Sequence, residues 1–367
     1  MSSSLADLAE VHTELRAMVR EILAKPGSEA VNREVDWGLL TRSGAVGVEV
    51  QAAFDGADAT FVEVAIVLQE IGRAASRSRY GAVAALGVGA LNLLESRPER
   101  DQLLRDTAAG LTAPIVVLGS ESLGDSSFRV ERTADGYQLS GHASFVLDAS
   151  AADSYLVPAR EADGNLVIVN IDPRAAGLTV MEQVVLDATR NFGSVTASCV
   201  DVGLESVWRV RGDASNALTR LCDRAAVAVA CDSLGLSEAM LEATVDYVGV
   251  REQFGRRVGS FQAVKHACAD MLVQVTVARS LVAAAVRALA QDTSDASVAA
   301  AMAKSYACST AVDIAGKAMQ LHGGMGYTWE SGIHVYLKRA TLNRSLFGSP
   351  AAHRTRLAQR YFQESGM

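Results

Sequence analysis

The sequence predicts an α+β fold, with a helical region on either side of a β-rich middle. Residues 5–24 repeat apolar side chains at spacings of three and four, short β-branched segments begin at Pro114, and long helices return after Gly212. We place the domains as follows: N-terminal helical domain 1–112, middle antiparallel β-barrel or sandwich 113–208, C-terminal helical bundle 209–367.

The N-terminal region is predicted to hold further helices after the amphipathic one at 5–24. A short helix includes Trp37–Leu40, and three more are expected at 61–75, 80–96 and 98–110. The composition changes after this last helix, which marks the end of the first domain.

The middle region reads as short strands with turn residues between them. The predicted strands are 115–120, 128–133, 136–141, 143–148, 154–159, 165–171, 177–182 and 194–202. Asp135-Gly136 lies between two of these segments and is a strong hairpin signal. Eight short strands joined in this way favour an antiparallel barrel or sandwich.

The C-terminal region is predicted to be a bundle of long helices followed by a tail from Pro350. The expected helices are 217–255, 261–290, 297–320 and 329–346. The first is apolar over much of its circumference, which predicts a buried position. Small residues recur along all of them and favour close helix–helix approach.

Composition sets broad limits on function. The 367 residues are long enough for two or three domains, and 49% of them are hydrophobic, as in a well-packed globular protein. The net charge of −8 argues against broad nucleic-acid binding, which needs clustered cations. We find no signal peptide and expect no segment long enough to cross a bilayer, so we expect a cytoplasmic protein with no membrane partner.

The five cysteines are scattered, odd in number and free of any C-x-x-C pair: Cys199, Cys222, Cys231, Cys268 and Cys308. This pattern predicts core filling and no metal site.

The stretch from Gln320 to Glu330, QLHGGMGYTWE, is the first candidate binding element. It ends a long helix on Gly323-Gly324, where positive φ is tolerated and a ligand can approach the backbone closely. The Gln320 amide beside free peptide N–H groups is a suitable cradle for a phosphate. A helix followed by Gly-Gly is also a common C-cap, so this element alone decides little.

A second element, REQFGRRVGSFQAVKHACADM from Arg251 to Met271, makes the first one specific, because the two form a pair of motifs. The two stretches, in this order, resemble the two signatures of the flavin-dependent acyl-CoA dehydrogenases. The resemblance covers most of the chain and implies that family's fold, with a four-helix C-terminal bundle. It also implies that Arg251, Phe254, Gln320 and Gly324, with Gly323 beside them, grip the FAD of a neighbouring subunit.

The proton-abstracting base of that family is missing here. The family removes the α-proton of an acyl-CoA with a Glu that opens an E-G-T triplet, and the matching residues are Phe347-Gly348-Ser349. A phenyl ring cannot take a proton. Some members carry the base on the helix before R-x-Q-F-G, and that position is Ala225. Asp223 is close by, but two residues place it on a different side of the helix. We therefore predict no catalytic residue on this chain.

The middle region also departs from the family pattern. The family's T-E-P-x-x-G-S-D is replaced by VVLGSESLGD, with Ser120, Ser122 and Gly124 but no proline turn. The strand that backs the flavin keeps its aromatic residue as Phe145 but has Leu147 in place of Thr, which removes one flavin hydrogen bond worth about 1 kcal/mol. Leu186-Asp187-Ala188-Thr189-Arg190 resembles a further family element, to which the sequence assigns no chemistry.

These departures are confined to one side of the expected site. The residues for a neighbour's FAD are intact, and those for the chain's own flavin and substrate are lost. The hypothesis is a non-catalytic subunit of a hetero-oligomeric acyl-CoA dehydrogenase. The resemblance implies an acyl-CoA substrate (a steroid side-chain thioester, as in actinobacterial paired-subunit members), a second dehydrogenase subunit in a heterotetramer, and electron-transferring flavoprotein as acceptor.

Three alternatives stay open. A homo-oligomeric dehydrogenase could take its base from Glu121, Glu330 or His322. A flavin monooxygenase shares the fold, and a flavin-free protein could use it for assembly or acyl-CoA binding. Of the other polar residues, Arg256-Arg257 could meet a CoA phosphate. The set His334, Tyr336, Lys338 and Arg339 suits a subunit contact.

Overall fold

A computed structural model describes residues 5–24, 34–119, 126–212 and 214–364 of the chain. The predicted order of a helical region, a β-rich middle and a second helical region is confirmed. The last helix before the sheet ends at Ala108 and the first strand begins at Pro114; the last strand of the sheet ends at Arg209.

The N-terminal helices are α1 Leu5–Ala24, α2 Trp37–Arg42, α3 Phe61–Arg73, α4 Gly81–Asn92 and α5 Pro98–Ala108. α3 begins with a capping box: Thr60 caps the first turn, and the Glu63 side chain accepts a hydrogen bond from the Thr60 backbone N–H. The first eight residues of α4, Gly81–Val88, are π-helical, a wide form of helix that is frequent near functional sites.

The middle domain is one eight-stranded sheet in the order β6-β7-β3-β2-β4-β5-β8, with β1 beside β4. Its strands are β1 Pro114–Val116, β2 Phe128–Arg132, β3 Tyr137–Leu147, β4 Ser154–Arg160, β5 Leu166–Ile171, β6 Leu178–Gln183, β7 Phe192–Val202 and β8 Val207–Arg209. The hairpin at Asp135-Gly136 is confirmed, since β2 pairs antiparallel with β3 and Arg132 lies opposite Tyr137.

Two details of the sheet differ from the sequence prediction. The sheet is mixed, because β1 and β2 both pair with β4 in parallel. The segments 136–141 and 143–148 belong to one long strand, β3, which is interrupted only by register shifts opposite β7. Gly141, which suggests a strand end in the sequence, lies inside β3 at φ 153°, a conformation that favours glycine, and a Cβ added there would lie 2.6 Å from the Phe128 ring.

The C-terminal helices are α6 Ala214–Val250, α7 Gln262–Ala290, α8 Ala296–Leu321, α9 Ile333–Ser345 and α10 Pro350–Glu364. α6, α7, α8 and α9 form the bundle, and α10 packs on α8. α3 of the first domain crosses α6 very closely: a Cβ added to Gly235 would lie 1.8 Å from the Gln69 carbonyl oxygen. The two helical domains therefore share one continuous core.

The expectation that no segment is long enough to cross a bilayer is wrong. Of the helices in the described residues, α7 is long and apolar enough by length and composition to cross a membrane, and a third of its most apolar stretch is buried. Uncharged polar residues such as Gln274 and Thr276 hide this stretch from a search for unbroken apolar runs. The prediction that the cysteines fill the core is confirmed for Cys222, Cys231 and Cys308, which are buried, and is wrong for Cys199, which is exposed; Cys268 is half-buried. All five are free thiols.

Candidate functional site

The two motif elements come together at one end of the C-terminal bundle. Tyr247, in the last turn of α6, stacks on His322, the residue after α8, with ring centroids 4.4 Å apart. Arg251 follows Tyr247 by one turn, and its backbone N–H donates to the Tyr247 carbonyl at 2.9 Å. Gln320 occupies the last turn of α8 and is exposed. The stacked pair thus holds Arg251 and Gln320 at the same end of the molecule.

Phe254 is presented by a tight hairpin that follows α6. Strands β9 Glu252–Gln253 and β10 Arg256–Arg257 pair through a two-residue loop, Phe254-Gly255. Both loop residues have positive φ, 54° and 74°, as a type I′ turn requires. The left-handed conformation costs a non-glycine residue about 1–2 kcal/mol, and the Phe254 side chain is 91% exposed. The chain thus places an apolar ring in solvent at an energetic cost.

Arg251 is an exposed cation without a partner. Within the described part of the chain, its guanidinium forms no hydrogen bond or ion pair, whereas Arg256 lies over the Phe261 ring at 3.9 Å. Three further large apolar side chains are exposed just after α8: Met325, Tyr327 and Trp329. An unpaired arginine among exposed aromatic side chains is suited to an anionic group carried by another molecule.

The glycines after α8 leave the backbone open. Gly323 has φ 58°, and a Cβ added to Gly323 or Gly324 would meet nothing within 4 Å. This space is what a phosphate or a flat ring needs in order to reach peptide N–H groups. Arg251, Phe254, Gln320, Gly323 and Gly324 therefore fit one half of an FAD site, although their role stays a prediction.

Three residues singled out by the family resemblance meet at one small cavity. Phe347 and Ala225, where the resemblance places the base, line it together with Leu147. The cavity has a volume of about 20 Å³, enough for a single water molecule and far too small for an acyl group. All three side chains are buried. The predicted positions of the base and of the flavin-facing threonine thus surround a nearly filled space.

The loop that carries Phe347 is held by buried hydrogen bonds from α8 and α10. Lys304 of α8 is fully buried and donates to the carbonyl oxygens of Asn343 and Gly348, each at 3.0 Å, and of Arg344 at 3.3 Å. Burial lowers the pKa of this ammonium group. His353 of α10 donates from Nε2 to the Phe347 carbonyl at 2.9 Å, and burial lowers the pKa of its imidazole to about 4.

A buried ion cluster lies beside the same cavity and joins all three domains. Asp232 of α6 accepts two hydrogen bonds from Arg339 of α9, at 2.9 and 2.5 Å, and one from Asn343 at 2.7 Å. Arg190, from the loop before β7, lies 3.1 Å from the same carboxylate. Burial alone would raise the pKa of Asp232, but Arg339 and Arg190 hold it well below its usual range.

Further contacts extend this cluster. Arg339 donates to Thr189 Oγ1 at 2.7 Å and to the Ser76 carbonyl at 3.0 Å. Asp187 accepts from the Thr189 backbone N–H at 2.9 Å, which shapes the loop. The element 186–190, to which the sequence assigned no chemistry, thus has a structural role between domains. Burial raises the pKa of the neighbouring Asp148 carboxyl to about 7, although Arg190 and Arg77 lie close by.

The expected subunit contact on α9 is wrong for Arg339, which is 1% exposed and belongs to this cluster. Tyr336 also points inward, since its hydroxyl donates to the Arg73 carbonyl at 3.0 Å. The sequence analysis missed Asp232, Asn343 and Lys304 as well. A signal was present for Asp232 and Lys304: each is a charged residue on a helix that is otherwise apolar at that point, and a buried charge requires a partner. Asn343 lies on a polar stretch of α9, where no such signal stands out.

The candidates for a relocated base that the structure describes do not line the cavity. Glu330 is exposed at the Arg251 end of the bundle, and hydrogen bonds to its carboxylate lower its pKa. His322 is buried against Tyr247, with Nδ1 2.8 Å from the Ala318 carbonyl. Asp223 is ion-paired with Arg356 at 2.6 Å and accepts from Ser297. Glu121, like Ser120, Ser122 and Gly124, lies outside the described residues.

Phe145, the aromatic residue that the family resemblance places beside the flavin, has a well-defined position. Phe145 lies at a register shift of β3 with φ 52°, and its ring packs edge-on against Phe192 at 6.3 Å. Its backbone N–H donates to Gln183 Oε1 at 2.6 Å. The aromatic residue is therefore held in place, while the next position along the strand face, Leu147, is turned into the filled cavity.

Two family models match the chain. Residues 9–110 match the acyl-CoA dehydrogenase N-terminal domain, and residues 216–362 match the acyl-CoA dehydrogenase C-terminal domain. Together they cover both helical regions, including all the residues of the two motifs.

Relatives of full length are also found. Acyl-CoA dehydrogenase IpdE2 of Mycolicibacterium smegmatis is 27% identical over 97% of this chain and 100% of its own length; its namesake in Mycobacterium tuberculosis is 29% identical over 92% of both chains. Among solved structures, a variant of the Tcur3481-Tcur3483 steroid ACAD superposes with a TM-score of 0.86 and 26% identity, over 98% of this chain and 100% of that chain. The ChsE4-ChsE5 complex of Mycobacterium tuberculosis shares the fold, with a TM-score of 0.85 and 21% identity over 98% of each chain.

Proposed function

Because the chain belongs to the acyl-CoA dehydrogenase family of FAD-dependent oxidoreductases, we propose that it is the non-catalytic subunit of a hetero-oligomeric enzyme. It supplies one half of an FAD site to a partner subunit that carries the base. The reaction of the assembly is the α,β-dehydrogenation of an acyl-CoA.

One contrast carries this proposal: the half-site for another subunit's cofactor is open, and the chain's own reaction site is closed. Arg251 has no partner among the described residues and Phe254 is exposed, whereas Phe347, Ala225 and Leu147 leave a cavity of only about 20 Å³. A dehydrogenase acting alone needs the opposite arrangement, with a carboxylate facing an acyl-sized pocket.

Each residue of the open half-site has a definite task. Arg251 neutralises the pyrophosphate of FAD through charge-assisted hydrogen bonds, and Phe254 packs its ring on the cofactor. Gln320 offers an amide, while Gly323 and Gly324 expose peptide N–H groups that a side chain would cover. FAD, when bound, accepts the hydride that leaves the β-carbon of the substrate.

The partner must then supply what this chain lacks. A Glu of the partner takes the α-proton, and the partner's own sheet domain holds the flavin ring. The closed site of this chain has no room for an acyl group beside Phe347, so one chain of each pair is devoted to assembly and cofactor retention.

The substrate class we propose is a steroid side-chain CoA thioester. The support is the similarity to the Tcur3481-Tcur3483 steroid ACAD, which extends over nearly the whole of both chains. Electron-transferring flavoprotein is the acceptor proposed for the reduced cofactor, as is usual for this family.

The test is to purify the chain alone and together with a candidate partner that carries the family's Glu. We expect the single chain to lack stoichiometric FAD and turnover, and the mixed oligomer to have both. Replacing Phe347 with Leu in the mixed oligomer should leave kcat unchanged, because this ring takes no part in proton transfer. One FAD per chain with full turnover from the chain alone would overturn the proposal.

A further inference from the structure

A large groove lies between the two helical domains, on the opposite side of α6 from the filled cavity. Helices α1, α3, α6 and α7 form its walls, and its volume is about 1030 Å³. Ligand pockets of proteins typically measure about 300–1,000 Å³ and are frequent at domain interfaces. This groove is therefore large enough for a sizeable small molecule.

The groove and the filled cavity are separate spaces. They lie on opposite faces of the α3–α6 crossing, which two glycines close. A Cβ on Gly72 would lie 2.1 Å from the Asp232 carbonyl oxygen, and one on Gly235 would lie 1.8 Å from that of Gln69. The backbones are in direct contact here, so nothing bound in the groove can reach Phe347.

The floor of the groove is apolar. Leu8 of α1 and Val245 of α6 line it and are 41% and 47% exposed, so they offer open apolar surface. Beneath them lie side chains that are almost fully buried: Ile66 of α3, Leu234 of α6 and Val275, Val282 and Val286 of α7. These valines belong to the apolar stretch of α7 that is long enough to cross a membrane. One face of this unusually apolar helix therefore forms a wall of the groove.

The charged groups along the groove are unevenly paired. Its wall carries five arginines and three carboxylates, and two of these arginines, Arg16 and Arg20, share the buried carboxylate of Glu70. Arg279 is bound to Glu238 at 2.8 Å, and Arg73 is paired with Glu242. Arg287 in the last turn of α7 has no partner within the described residues.

Arg287 stands at one end of the groove. α6 and α7 run antiparallel, because Arg279 meets Glu238 while Gly259 lies against Val248. Asp246, a carboxylate with no partner among the described residues, is therefore at the other end, roughly 24 Å away at 1.5 Å per residue. The groove offers an apolar channel with Arg287 at one end.

We infer that this groove binds an amphipathic carboxylate, with its apolar body on the valine floor and its anionic head at Arg287. The head finds a charge-assisted hydrogen bond with the guanidinium, and the body replaces water on apolar surface. The site is independent of the FAD half-site and of the filled cavity.

Fluorescence titration with cis-parinaric acid tests the inference on the full chain, alone and in the oligomer that it forms. We expect saturable binding of one probe per chain. Oleate should displace the probe, and oleyl alcohol, which has the same tail without charge, should do so about tenfold less well.

Two variants test the location. Arg287→Glu should weaken binding about tenfold or more, and Ala283→Trp, which fills the groove from α7, should abolish it. Arg129→Gln on β2 is the matched control, an exposed arginine far from the groove, and should bind normally. Circular dichroism checks that Ala283→Trp is folded. If it is not folded, Arg287→Glu, at an exposed position, still tests the location of the site.

Several outcomes would overturn the inference. These are no probe binding, binding that neither variant changes, or equal competition by oleyl alcohol. Sedimentation gives one further outcome that would overturn it. If Ala283→Trp dissociates the oligomer and the native chain binds no probe, the groove is occupied by another copy of the chain or by its partner.

Discussion

Helix α6 passes through two regions that differ in packing, in solvent exposure and in the pairing of their charges. Near its middle, Ala225 and Asp232 face a closed interior in which side chains fill the space and charges are paired. At its end, Arg251 and Phe254 face solvent, one without a partner and the other in a left-handed backbone conformation. The first region is complete within the chain, and the second is not.

The two regions differ in what they contribute to stability. In the closed interior, opening a cavity or removing one member of a buried ion pair destabilises the folded chain. An exposed phenylalanine at φ 54° is a cost to the isolated chain, and such costs persist where a function requires them. Under the proposed function, the second region is where this chain meets another molecule, and the first has a structural role alone.

The largest effect that would distinguish the regions is the loss of Asp232. Asp232→Ala leaves Arg339 and Arg190 buried without their shared counter-charge, so we expect the free energy of unfolding to fall by about 3–5 kcal/mol. Chemical unfolding followed by circular dichroism measures it. Asp172→Ala, which removes an exposed ion pair with Arg174, is the control and should leave stability nearly unchanged, because solvent screens exposed pairs. Equal effects of the two substitutions would show that the cluster is not structural.

Lys304 sharpens the comparison, because it holds the loop that closes the first region. Lys304→Met keeps much of the side-chain volume but leaves the carbonyls of Asn343, Arg344 and Gly348 without this donor. We expect a loss of about 2–3 kcal/mol in the free energy of unfolding. Lys317→Met, at an exposed position of the same helix, should be neutral. An equally neutral Lys304→Met would mean that the loop is held by packing alone.

The sequence predicted the fold better than the interior of the site. Apolar spacing, strand alternation and Asp135-Gly136 locate most elements because they depend on local periodicity and turn chemistry. The two parallel pairings of β4 are non-local, and no pattern in β1 or β2 encodes them. The replacement of the base by Phe347 was readable from the motif, but the motif does not show that Phe347, Ala225 and Leu147 meet in one cavity.

The ion cluster shows the same limit. Asp232, Asn343 and Arg339 are far apart in the chain, and sequence reasoning assigned Arg339 to a subunit contact because it follows His334 and Lys338 on one helix. Which face of α9 is buried depends on where α6 and the loop before β7 lie. The large groove was equally invisible, since it arises from the spacing of four helices and not from any one of them.

The open region is tested by Arg251. Arg251→Ala in the assembled oligomer should weaken FAD binding about tenfold to a hundredfold, as expected for a lost charge-assisted contact. The free energy of unfolding of the isolated chain should not change, because the side chain has no partner there. Bound flavin measured by absorbance after gel filtration gives the result. Arg354→Ala, another exposed arginine, is the control. Unchanged FAD retention would remove Arg251 from the site.

The smallest effect concerns pH and the closed region. The His353 imidazole has its pKa lowered from 6.5 to about 4 by burial, with Nε2 bound to the Phe347 carbonyl. The unfolded chain therefore takes up a proton below about pH 6.5 that the folded chain refuses until about pH 4. Through this residue the free energy of unfolding should decrease as the pH falls across that interval and be unaffected above it. His353→Gln, which retains a donor for the Phe347 carbonyl, should flatten this part of the stability profile, measured by urea unfolding between pH 4 and 8. FAD retention at the Arg251 end should show no such dependence on residue 353. If the profile keeps the same slope in the variant, His353 is not the group that couples the closed region to pH.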